Sequence, residues 1–322
     1  MIIKKIASML GFIFIFMIAG CSQEEAASKV DEKVKVGIML SDVGLGDQSF
    51  SDSAFNGLIK ARDELGIRFD YRELKDSGTY EKGLTELVEE DHDIIVGLGY
   101  MVQEELEKVA QKYPDQQFVL IDAISELKNV TSITFKEDQG SYLVGVVAAL
   151  TTQTNKIGFI GGDDVPLINK FEDGFIEGAT SINPSIKVDV TYAGDFGNDQ
   201  LGAKLAREMI QNDVDVLYAA AGFTGVGMLK EAQANKVLAI GVDSDQYFYA
   251  EKAVVTSMLK NVDVAMYQLA EQLIKNRKVQ SGHIELGIED DGIGLAPLRV
   301  FPFSKEQQDI IEEWKTKLST DS

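Results

Sequence analysis

The chain has 322 residues, one cysteine, two histidines and a formal net charge of −21 at pH 7. A surface that acidic repels phosphate backbones and anionic bilayers, which argues against nucleic-acid binding and against purely electrostatic membrane adhesion. A lone cysteine rules out an intrachain disulfide, a thiolate metal site and an internal redox couple, and a chain this long is expected to divide into two domains.

Lys4 and Lys5 open the chain, and an apolar run follows from Ile6 to Ala19. The run is shorter than the roughly 20 apolar residues a spanning helix needs and suits the core of a secretory signal peptide. It ends in Ile18-Ala19-Gly20-Cys21, which resembles the bacterial lipobox, where the cysteine sulfur is lipidated after processing. Residues 1–20 are therefore read as a lipoprotein signal peptide, Cys21 as the acylated (palmitate-type) residue, and the polar stretch 21–33 as a flexible tether. That reading places the protein on the extracytoplasmic face of the cell membrane, held through its lipid.

From Val34 onward, short apolar runs rich in Val and Ile alternate with segments at helical spacing. Strands are expected at Val34–Leu40, Asp93–Gly99, Gln117–Ala123, Asn129–Phe135, Lys156–Gly162, Lys187–Ala193, Val214–Gly222, Val237–Asp243 and Ala253–Lys260. Most are continuously apolar, the mark of strands covered on both faces. Helical spacing appears in Leu143, Val146, Val147 and Leu150, in Leu201, Leu205, Met209 and Ile210, and between Asp263 and Ile274. The alternation predicts an α/β protein with doubly wound parallel sheets and right-handed crossovers. A break at Phe135-Lys136-Glu137-Asp138 and a restart at Lys156 divide it into two lobes. In such sheets ligands sit beyond the carboxyl ends of strands, so facing lobes make a cleft.

No catalytic constellation emerges, and neither enzyme activity nor a cofactor or metal is expected. His92, in a run of acids, and His283, after Ser281-Gly282, are both read as solvated. The glycine-rich turn Ala221–Gly227 lacks the ending of a P-loop and the spacing of a dinucleotide fingerprint. The run from Asp42 to Phe50 follows the first strand and pairs carboxylates with an aromatic ring. It reads equally as a site for a ligand with hydroxyls and a flat face, or as a polar loop whose Asp caps the next helix. Asp122, Asp243 and Lys260 each close a strand and share that ambiguity.

Taken in order, several segments resemble the basic membrane protein family of substrate-binding lipoproteins, whose best-understood branch is the purine nucleoside receptor of nucleoside ABC transporters. They are Asp42-Val43-Gly44 through Ser49-Phe50, Phe135-Lys136-Glu137 leading to Gly140–Gly145, Gly161-Gly162 leading to Phe171 and Gly174–Ala179, Tyr192–Phe196, Ala220–Gly227, Gly241–Gln246 and Thr256–Asp263. The resemblance implies a type I periplasmic-binding-protein fold whose lobes are joined by three crossing strands. The lobes would span 34–134 plus 258–282 and 135–257 plus 283–302, with a C-terminal helix in 303–322. It further implies that Phe50 stacks on a nucleobase, Asp42 and Asp122 bond polar edges, and Asp243 and Lys260 hold the ribose. Ser49 and the Gly222 backbone would lie in the same site, and Tyr218 or Phe223 would supply a second aromatic wall. The implied partners are a nucleoside and an ABC permease. Phe50-Ser51-Asp52 stands where the family usually has Phe-Asn-Gln, the preceding loop is one residue short, and Phe223 replaces a common glycine. A related branch includes a competence-regulating lipoprotein, so the alternative expectation is a signalling lipoprotein with a changed or lost ligand.

Overall fold

The computed structural model describes residues 33–320, so the expectations for the signal peptide, Cys21 and nearly all of the tether lie outside the described residues. The chain first builds β1 (Lys35–Met39), α1 (Phe50–Leu65), β2 (Arg68–Arg72), α2 (Leu74–Ser77), α3 (Tyr80–Glu89), β3 (Ile94–Leu98), α4 (Gln103–Lys112), β4 (Gln117–Ile121) and β5 (Val130–Phe135). There follow α5 (Glu137–Thr151), β6 (Lys156–Gly161), α6 (Pro166–Ile182), β7 (Lys187–Tyr192), α7 (Asp199–Gln211), β8 (Val216–Ala220), α8 (Gly222–Asn235), β9 (Leu238–Asp243) and β10 (Val254–Lys260). Last come α9 (Val262–Asn276), β11 (Gly282–Leu286), β12 (Ile293–Leu295) and α10 (Lys305–Thr320).

Two six-stranded sheets result, ordered β11-β5-β4-β3-β1-β2 and β12-β10-β9-β8-β6-β7. Among the described residues the pairing is parallel except where β12 lies antiparallel against β10. This is the α/β architecture of two parallel sheets that the alternating runs predict. β3 and β8 are buried along their whole length, as strands covered on both faces must be. β2 and β7 sit at sheet edges and read Arg-Phe-Asp-Tyr-Arg and Lys-Val-Asp-Val-Thr-Tyr, partly exposed. β2 escaped sequence reading because an edge strand carries no apolar run; β11 and β12 escaped for the same reason and because they are short.

Within the described residues the chain passes between the sheets after β5, after β10 and after β11. Two of these crossings differ from the expected positions. β10 stays in the second sheet as far as Lys260, with Leu259 opposite Asp243, so the crossing does not fall before Met258. β11 pairs with β5 in the first sheet, His283 opposite Ser132, so the last crossing follows Leu286. Backbone ladders hold a strand in its sheet to its end, and the chain changes lobe only where the ladder stops.

Helix packing explains several of the glycine-rich segments. α5 lies on α6, and a Cβ on Gly178 would come within 2.0 Å of the Tyr142 carbonyl oxygen, one on Gly145 within 2.2 Å of that of Phe175. α10 docks on α5 through Trp314 against Tyr142, 4.7 Å between ring centroids, and through Gln307 Nε2 donating to the Leu150 carbonyl at 2.9 Å.

Candidate functional site

The loop after β1 is organised by two carboxylates. Asp47 accepts from the backbone N–H groups of Ser49, Ser51 and Asp52 at 3.0, 2.6 and 3.1 Å, which caps α1. Asp52 accepts in turn from those of Gly46 and Gln48, at 2.9 and 3.0 Å. Burial pushes the Asp47 carboxyl up to about 6, against the pull of its three N–H partners. The capping reading holds through Asp47, and Asp42, Asp47 and Phe50 all face a cavity. Ser51 bonds Ser41 at 2.6 Å. The departure at Ser51-Asp52 thus falls on the scaffold of the loop, since neither residue lines the cavity.

That cavity lies between the lobes, where the carboxyl ends of strands from both sheets converge, and holds about 690 Å³ of empty space that includes its opening to solvent. Asp42, Phe50, Asp122, Gly222, Asp243 and Lys260 all line it. Asp122 and Asp243 leave their strands in the left-handed conformation, at φ 67° and 63°. Asp tolerates this better than most residues, and such backbone is enriched at functional sites. Ser49 does not line the cavity; its hydroxyl donates to Asp243 Oδ2 from the opposite lobe.

The expected second aromatic wall is corrected. Tyr218 is wholly buried in the second lobe, its ring 5.1 Å from that of Phe175 and 5.6 Å from that of Phe159, its hydroxyl bonded to Ser141 at 3.1 Å. Side chains alternate along a strand, so Tyr218 shares its face of β8 with Ala220, which lines the cavity, but it sits two residues before the strand's carboxyl end and packs beneath α5 and α6. Phe223, the second residue of α8, is half-buried and is not part of the lining. The aromatic rings that the second lobe contributes are Phe171 and Phe196, beside Leu167 and Ile168. Leu167, Ile168 and Phe171 form one apolar helix face just after a strand's carboxyl end, a signal the sequence does carry.

Lys260 is the electrostatic centre. Its Nζ lies 2.6 Å from Asp122 Oδ2 and 3.0 Å from Glu137 Oε1. The ring centroids of Phe135, Phe50 and Phe171 are 5.0, 5.2 and 5.6 Å from it. Burial lowers the ammonium's affinity for its proton, but Asp122, Glu137 and Asp243 together outweigh that and hold it above the ordinary lysine range. Burial also raises the carboxyls of Asp122, Glu137 and Asp243, each opposed chiefly by Lys260. Asp122 Oδ1 is buried without a hydrogen-bond partner. Asp42 is raised by burial and, more weakly, by Asp195 of the other lobe, while its neighbouring N–H groups oppose the shift.

The lobes touch across the opening. Tyr100 Oη donates to Asp163 Oδ2 at 3.3 Å, and Gln246 Nε2 donates to the Gln48 carbonyl at 3.1 Å. Burial, then Asp163, pushes the Tyr100 phenol up to about 12. His92 is not solvated as expected: it is buried, with Nδ1 donating to the Leu87 carbonyl at 2.7 Å and Nε2 2.9 Å from Asp70. His283 is exposed on β11, bonded to Thr134 at 2.7 Å. Neither lines the cavity. What the cavity offers a ligand is carboxylate acceptors, one ammonium and aromatic faces. Among the described residues no helix is long and apolar enough to cross a membrane.

Residues 33–321 match the family model described as ABC transporter substrate-binding protein PnrA-like. The chain is 36% identical to the CD4+ T-cell-stimulating antigen of Listeria innocua, over 93% of this chain and 90% of that protein. It is 31% identical to the ABC transporter nucleoside-binding protein BmpA of Lactococcus lactis, over 88% of this chain and 90% of that protein. The crystal structure of an ABC transporter solute-binding protein from Aeropyrum pernix shares the fold with a TM-score of 0.83 at 28% identity, covering 89% of this chain and 92% of that one.

Proposed function

This chain belongs to the family of PnrA-like ABC transporter substrate-binding proteins, and from that premise we propose that it is the lipid-anchored receptor of a nucleoside importer. It binds a nucleoside, purine by preference, between its lobes and delivers it to the permease. The observation that carries this reading is the convergence of aromatic rings and strand-end carboxylates from both lobes on one cavity. Phe50 stacks on one face of the base and the second lobe's Phe171 and Phe196 enclose the other, each good stack contributing about 1–3 kcal/mol. Asp42 and Asp122 accept from polar edges of the ligand, and Asp243 with Lys260 holds the ribose hydroxyls through charge-assisted bonds. The nucleoside-binding relative of Lactococcus lactis supports the ligand class. The lipobox-like Ile18–Cys21 supports the anchor, which a Cys21→Ser variant tests: it should lose metabolic palmitate labelling.

The decisive experiment is a thermal-shift screen of residues 22–322 against purine and pyrimidine nucleosides, free bases and sugars. A ligand at a hundredfold excess over its dissociation constant stabilises by about 2.7 kcal/mol. Nucleosides should raise the melting temperature, purines most, while bases and sugars leave it unchanged. No response to any nucleoside overturns the transport reading in favour of a regulatory lipoprotein.

A further inference from the structure

Glu137 opens α5 immediately after the first crossing between the sheets, is 0% exposed and lies outside the cavity lining. Neither of its carboxylate oxygens takes a directed hydrogen bond from another residue. Each faces an ammonium instead: Oε1 lies 3.0 Å from Lys260 Nζ and Oε2 lies 3.7 Å from Lys170 Nζ. Lys260 ends β10 at the second crossing. Lys170, on α6, lies 3.6 Å from Glu285 of β11, the strand that precedes the third. Alternating charges therefore run from Asp122 on the cleft floor through Lys260, Glu137 and Lys170 to Glu285, touching the segments that join the lobes.

Burying a carboxylate with so few hydrogen bonds is costly, and replacing a buried ion pair by apolar residues is often neutral or stabilising. Stability alone therefore does not account for Glu137. Its geometry does account for the position of Lys260. A lysine ammonium is a point charge on a four-carbon flexible stem, and Asp122 alone fixes only one direction for it. A second carboxylate behind it, on the side away from the cavity, fixes another. We infer that Glu137 is the positioning residue of the binding site, holding the Lys260 ammonium at the cleft floor from outside the cavity and coupling it through Lys170 to the hinge. This rests on the nucleoside reading above.

The test is calorimetric titration of the wild type and of Glu137→Gln with inosine and with 2′,3′-dideoxyinosine. The isosteric variant keeps the volume and removes the charge. Its affinity for inosine should fall by about tenfold or more, as expected for a lost charge-assisted contact, while the dideoxy compound, lacking the hydroxyls Lys260 serves, should lose far less. Ribose discrimination therefore collapses, which a merely structural defect would not produce. Unchanged discrimination in the variant, or equal losses for both compounds, overturns this inference and leaves the nucleoside reading standing. A wild type that binds neither compound overturns the nucleoside reading and this inference with it. Should Glu137→Gln not fold, Glu137→Asp, which keeps the charge one methylene further from Lys260, is predicted to show the same collapse, and wild-type discrimination in it overturns the inference.

Discussion

Ser49 and Asp243 meet across the cleft although 194 positions separate them. That contact divides the labour of the Asp243 carboxylate: one oxygen is satisfied by the opposite lobe, and the residue still lines the cavity. Asp122 shows the same division, with Oδ2 on Lys260 and Oδ1 without a partner. A buried acceptor without a partner, as Asp122 Oδ1 is, suits a donor on a ligand, because an unsatisfied buried polar group costs about 1–3 kcal/mol. Asp243→Ala should weaken nucleoside binding by about 1.5–3 kcal/mol, the range for a charged hydrogen bond. Calorimetry with inosine measures this directly, and an unaltered affinity would remove Asp243 from the site.

Two helices that flank the site, α5 and α6, meet in close backbone contact. α5 and α6 approach so nearly that Gly145 and Gly178 each lie against the other helix's carbonyl oxygens. A side chain at Gly178 has no backbone-free space to enter, so the helices must separate. Gly178→Val should lower stability by about 1–3 kcal/mol or more, in the range of overpacked cores. Chemical denaturation reads the loss; a variant as stable as the wild type would mean that the helices are not closely apposed. Because α5 begins at Glu137 and α6 carries Phe171 and Lys170, the same variant should also weaken ligand binding.

At the scale of the molecule, four buried carboxyls share one direction. Burial holds Asp47, Asp122, Glu137 and Asp243 above the ordinary carboxylate range. A folded carboxyl raised in this way binds its proton more tightly than the unfolded chain does. Its contribution to stability is therefore present below the ordinary value, 3.8 for Asp and 4.5 for Glu, and is lost as pH rises through the folded value, about 6 for Asp47. For Asp47 alone the loss is on the order of 3 kcal/mol. The net charge of −21 acts in the same sense, since self-repulsion grows as carboxyls ionise. Surface carboxylates paired with lysine, such as Asp213 with Lys156, pull the other way but only below the ordinary value. The ligand-free chain should therefore melt at a higher temperature at pH 5 than at pH 7. Calorimetric melts at the two pH values decide it, and a lower melting temperature at pH 5 would show that partners hold the folded carboxyls ionised rather than burial holding them neutral.

How much of this was legible beforehand follows from the range over which each signal acts. Continuous Val- and Ile-rich runs mark strands covered on both faces and place Asp42, Asp122, Gly222, Asp243 and Lys260 at or just beyond strand ends, where capping and ligand-facing readings stand equal until the family resemblance tips them; all five line the cavity. Those signals are local, carried by residues a few positions apart. The same continuity hid the depth of Tyr218, because an unbroken apolar run does not show where the strand ends, and only residues at its carboxyl end, such as Ala220, reach the cleft. Edge strands such as β2 carry no apolar run at all. Phe171, Phe196 and Glu137 stood within recognisable segments, yet their roles depend on partners up to 123 positions away, as Lys260 is from Glu137. Local periodicity selects the elements, whereas the approach of two separately wound sheets brings distant charges together, and that approach leaves no mark on neighbouring residues.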